Sequence, residues 1–136
     1  MADIKLVLPY PPSELLPNRK TDRWTKAKVT RASRQEAALI AFDYLNQIGR
    51  GRRIALPCPL IGRCSMTITW YPRTQKIADC DSLMRASKPF FDGLKDGWII
   101  KDDSWDVIVE RTLRRGPPDK DNPRTEIIIT ALEDKE

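Results

Sequence analysis

Between residues 61 and 71 the chain alternates face by face. Met66, Ile68 and Trp70 fall on one side and Ser65, Thr67, Thr69 and Tyr71 on the other. A period of two is the mark of a half-buried strand. Upstream, Ala37, Ile40, Ala41, Tyr44, Leu45 and Ile48 recur at steps of three and four, which predicts a helix over about 30–48, stopped by Gly49 and Gly51. Ile4 to Leu8 reads as a first strand, ended by the cluster Pro9-Tyr10-Pro11-Pro12, and residues 13–24 read as a polar loop. A second helix is predicted over about 82–96: Leu83, Ala86, Phe90 and Leu94 share one face, and Asp81, Arg85, Lys88 and Asp92 lie opposite. Pro89 removes a backbone donor, so this helix is expected to kink or restart there. Strands at about 107–114 and 125–132 complete the order β-α-β-α-β-β. The expectation is an α+β fold, one domain over residues 1–136, with a mixed β-sheet packed by two main helices.

Composition changes this picture chiefly by exclusion. The chain has 136 residues, a formal charge of +5 and no histidine. Ser-His-Asp and Cys-His nucleophile systems, His-ligated zinc and a histidine base are therefore excluded. Hydrolysis would have to rest on carboxylates, lysines or metal-bound water. Three cysteines, Cys58, Cys64 and Cys80, lack Cys-x-x-Cys spacing, which argues against a disulfide framework and fits a reducing cytosol. No stretch reads as a signal peptide or a membrane span, so a cytoplasmic protein with no membrane partner is expected.

Two pairs of acids stand out in this basic chain: Asp79 with Asp81, and Asp102 with Asp103. In an extended segment Asp79 and Asp81 point to the same side. Carboxylates held that close repel unless one is protonated or a cation lies between them. Oxygen-only ligands suit a hard ion, magnesium or alternatively manganese. The bland readings are an N-cap for the first pair and a turn for the second. Lys88 lies two turns after Asp81, about 10 Å along a straight helix, and its side chain slopes back toward the acids. Its bland role is a salt bridge to Asp92 at i+4.

Three separated segments agree with one family. Asp79-Cys80-Asp81-Ser82-Leu83, Lys88-Pro89-Phe90-Phe91-Asp92-Gly93-Leu94 and Gly97-Trp98-Ile99-Ile100-Lys101-Asp102-Asp103 resemble, in order and spacing, the core of the RusA-type Holliday-junction resolvases. Leu8-Pro9-Tyr10-Pro11-Pro12-Ser13 and Pro17-Asn18 are similar to that family's opening. The resemblance implies a magnesium-dependent, homodimeric endodeoxyribonuclease, phage- or prophage-like, that resolves four-way DNA junctions by paired nicks. It implies Asp79, Asp81 and Asp103 as metal ligands, with Asp102 adjacent, and Lys88 as the functional lysine. Ser82 stands where the family has asparagine. The interval from Asp81 to Lys88 is longer than in some members, which leaves Arg85 as a competing assignment for the cation.

DNA contacts would need cations outside the acidic pocket. Arg19, Lys20, Arg23, Lys26, Lys28, Arg31 and Arg34 face a single acid, Asp22, in residues 19–34, with Trp24 among them as a base-stacking candidate or a core anchor. Arg50, Arg52 and Arg53 form a second cluster, and Arg111, Arg114 and Arg115 a third. The rival expectations are a non-cleaving phage DNA-binding protein of the same fold and an enzyme acting on nucleotides. The lack of a glycine-rich phosphate loop speaks against the latter.

Overall fold

Residues 3–17, 19–52 and 61–132 are described by a computed structural model. Strand β1 (Ile4–Pro9) is followed by a 3₁₀ turn at Ser13–Leu15 and helix α1 (Arg23–Arg52). Strand β2 (Cys64–Tyr71), helix α2 (Cys80–Asp96) and strands β3 (Ile108–Arg115) and β4 (Arg124–Ala131) complete the order. The α+β class, the mixed sheet and the two helices are as the pattern predicts. The sheet order is β1-β4-β2-β3. β4 runs antiparallel to both β1 and β2, whereas β2 and β3 are parallel and joined through α2. A parallel pair needs a long crossover, and α2 supplies it.

Both helices contribute to one core with a single face of the sheet. Leu6 and Leu8 of β1, Met66, Ile68 and Trp70 of β2, and Ile127 and Ile129 of β4 are buried with Ala37 and Ala41 of α1 and Leu83, Phe90, Phe91 and Leu94 of α2. Full burial of a side chain such as Phe90 or Ile68 contributes roughly 1.5–3 kcal/mol. The opposite sheet face carries Lys5, Val7, Thr67 and Thr69, all at least partly exposed.

The helices approach closely because small residues meet. A Cβ on Gly93 would fall 2.3 Å from the carbonyl oxygen of Arg34 and 2.6 Å from the Cβ of Ala37. One on Gly97 would lie 2.5 Å from the Cβ of Ala41. At the rim the Arg34 guanidinium grips Asp96 through Nε–Oδ2 at 2.5 Å and Nη2–Oδ1 at 2.9 Å.

Two helix boundaries differ from the pattern-based expectation. α1 starts at Arg23, seven residues earlier than about 30, because Asp22 caps it: Oδ1 accepts from the Thr25 N–H at 2.8 Å. The first turns offer only Trp24, Ala27 and Val29 among polar residues, too few to set a hydrophobic period. α1 also continues to Arg52, past the two glycines. In α2 the helix runs through Pro89 as one element. Pro89 is buried, and packing of the surrounding apolar face offsets the lost backbone donor.

Candidate functional site

α2 begins with the first acid pair. Asp79 is the N-cap, with extended backbone (φ −67°, ψ 164°), and its Oδ1 accepts from the Ser82 N–H at 2.8 Å. Hydrogen bonds from Ser82, and secondarily the charge of Arg85, hold its carboxyl below the usual range. Asp81 lies in the first turn, where the helix dipole favours an anion. Ser82 contributes its main-chain N–H to this cap.

The second pair reaches α2 lower down. The connection 97–107 starts with a left-handed residue, Trp98 (φ 67°). The Ile99 N–H donates to Leu94 O and the Trp98 N–H to Lys95 O, both at 3.1 Å. This is the Schellman closure, with tryptophan where glycine is the usual choice. Ile99 and Ile100 then bury, and the chain turns back along the polar flank of α2. There Lys88 Nζ bonds Asp103 Oδ2 and lies 3.2 Å from Asp92 Oδ1. The ammonium holds the Asp103 carboxyl below its ordinary range, and Asp103 in turn raises the pKa of Lys88. Lys88 thus stays protonated at neutral pH. Asp102 Oδ1 accepts the Asp103 N–H at 2.9 Å and lies 3.9 Å from Lys95 Nζ.

The four acids are therefore distributed along one helix rather than gathered. Asp79 lines a cleft of about 410 Å³ with Cys80, Leu113, Arg114 and Arg115. Lys88 and Asp92 line a second cleft of about 310 Å³ with Arg85, Lys26, Thr30 and Pro89. Among the described residues, no group of three or more His, Cys, Asp or Glu side chains stands close enough to hold one metal ion. The donor chemistry of these carboxylates suits magnesium. Asp103 is engaged by a lysine and Asp79 by a helix N-terminus. Between the competing cations, Lys88 is the one that touches Asp103, while Arg85 lies a turn nearer Asp79.

The basic segment becomes a helical surface. Arg23, Lys26, Thr30, Arg31 and Arg34 line a groove of about 480 Å³ along α1. Lys26 and Thr30 also belong to the Lys88 cleft, so the two depressions share a wall. Trp24 is 85% exposed, which removes the core-anchor reading. Lys20 and Lys28 are exposed beside it. Arg34 is committed to Asp96, and Arg19 donates to Ser13 Oγ at 3.0 Å. In the third cluster, Arg111 donates to the carbonyl of Asp103 and Arg115 to that of Gln75, both at 2.9 Å. Asn18, Cys58, Arg53 and the side chains of Arg50 and Arg52 lie outside what is described. Sequence reasoning missed the structural use of Arg111, whose only cue was a cation amid strand residues.

No helix among the described residues is long and apolar enough to cross a membrane. No protein-family model matches the chain. Over 106 residues, 75% of this chain, it is 30% identical to a protein of Xylella fastidiosa (strain Temecula1 / ATCC 700964) described as uncharacterized. The aligned part makes up 65% of that relative's length.

Proposed function

We propose that the chain is a structure-specific endodeoxyribonuclease acting on branched DNA, four-way junctions foremost. The observation that carries this reading is the shared wall of Lys26 and Thr30, which joins the basic groove of α1 to the cleft of Lys88. A phosphate backbone drawn along α1 would be led to an ammonium held protonated between two carboxylates. Lys88 would then meet the scissile phosphate and offset the charge that develops on its oxygens. The ordered resemblance of residues 79–103 to the RusA-type resolvases supports the same substrate class. Magnesium and a two-fold dimer, which would match the symmetry of a junction, belong to the reading through that resemblance.

The decisive experiment incubates the protein with an end-labelled synthetic four-way junction and a linear duplex, with and without magnesium. Paired nicks in the junction alone are expected. Asp79→Asn, which keeps a good N-cap, and Asp103→Asn should each lose cleavage while binding persists. Undiminished nicking by Asp79→Asn would remove that carboxylate from the site. The dispersed acids favour one rival, a DNA-binding protein that does not cut. It predicts junction binding, no nicks under any condition, and no rise in thermal midpoint with magnesium.

A further inference from the structure

Asp103 is fastened at three points. Lys88 takes its carboxylate, Asp102 its N–H, and Arg111 its carbonyl oxygen at 2.9 Å. The third fastener comes from a different element. Arg111 stands on β3, the edge strand, in register with Met66, and so faces the helical layer. Its guanidinium lies 5.5 Å from the ring centroid of Phe91, a residue of α2 that is 1% exposed. A cation over an aromatic face is attracted by the ring quadrupole, and a planar guanidinium can stack while it donates in its own plane. Among the described residues no carboxylate lies within ion-pair distance of Arg111. The group is therefore spent on main chain and ring.

Main-chain hydrogen bonds tie the rest of the segment at its two ends. Its first part is tied by the Schellman closure and by the Ile61 N–H donating to Ile99 O, its last part by the Cys64 N–H of β2 donating to Val107 O at 2.7 Å and by a local turn in which the Val107 and Ile108 N–H groups donate to Ser104 O. Between these ends, at Asp102–Asp103, Arg111 supplies the hydrogen bond from another strand or helix to main chain.

We infer that Arg111 is a positioning residue: it sets the backbone of Asp103 so that the carboxylate meets Lys88, and thereby aims the ammonium into its cleft. This inference rests on the nuclease reading for its effect on turnover, though not for its effect on the segment. A displacement of about 1 Å at a reacting group costs up to about 10²-fold in rate.

The test pairs Arg111→Met with Arg111→Lys, which keeps the charge but not the planar fork. Junction-cleaving kcat should fall about 10- to 100-fold in both, with KM for the junction unchanged. Independently, amide exchange at Asp103 and Val107, followed by NMR, should quicken about tenfold or more, while Ile127 and Ile129 of β4 exchange as before. Full activity in Arg111→Lys, or unaltered exchange at Asp103, would overturn the inference. So would a raised KM with kcat intact, which would make Arg111 a DNA contact. If the wild-type protein cuts no branched DNA, the nuclease reading fails alone and the exchange measurement still decides the role of Arg111. If Arg111→Met does not fold, Arg111→Lys carries both readings.

Discussion

Ser87 shows how much a single small group on α2 controls. It is fully buried, and its Oγ accepts from the Trp70 indole N–H at 3.2 Å, which links the helix to the central strand β2. Among the described residues no buried side-chain nitrogen or oxygen lacks a partner. Ser87→Ala would leave the indole N–H buried without an acceptor. That costs about 1–3 kcal/mol, more than the roughly 0.5 kcal/mol alanine gains in helix propensity. Urea denaturation should show a lower midpoint with an unchanged slope; an unchanged midpoint would mean that the indole finds another acceptor. Asp79 is the contrasting residue. The sequence allowed it to be either a cap or an acid of the site, and its geometry makes it a cap whatever else it does.

At the level of elements, the two helices are joined by glycine–alanine contact in the middle and by the Arg34–Asp96 pair at the rim. The hydrogen bond from Arg34 is the main reason the Asp96 carboxyl sits below its ordinary pKa. A lowered carboxyl stabilises the fold fully above the unfolded aspartate value of about 3.9 and loses that contribution as pH falls through the lower folded value. Arg34→Met should therefore melt earlier than wild type at neutral pH, and the gap should close in strong acid. Both groups are largely exposed, so the gap should also shrink with added salt. Thermal melts across the acid range check this, and a gap independent of pH would assign the loss to packing instead. The same pair engages Arg34, one of the cations of the basic segment, with a carboxylate.

For the whole molecule, the question is whether the surface from α1 to the Lys88 cleft binds a polyanion as one unit. Each cation that neutralises a phosphate steepens the dependence of log K on log salt by about 0.9 for duplex DNA. Replacing Lys26 and Arg31 together by glutamine should flatten the slope for junction binding by roughly two such steps. Fluorescence anisotropy at several salt concentrations measures it. Parallel slopes for the variant and the wild type would place the DNA elsewhere. Trp24, exposed at the start of the same surface, is suited to stacking rather than to packing.

Much of this was written locally and legible as such. Alternation in β2 and the apolar stripe of α2 fixed those elements, because burial of one face imposes its period on the chain. The exclusion of histidine chemistry followed from composition alone. The start of α1 was signalled only by Asp22 and Thr25, since Trp24, Ala27 and Val29 are too few and too scattered to carry a period. Tertiary structure decided what depends on distance between segments far apart in sequence. It set Lys88 rather than Arg85 against Asp103, turned Gly93 and Gly97 onto Ala37 and Ala41, and gave Arg111 a carbonyl to hold. It also spread the four aspartates along α2, because a helix rises 1.5 Å per residue and the returning connection meets it two turns from its N-cap.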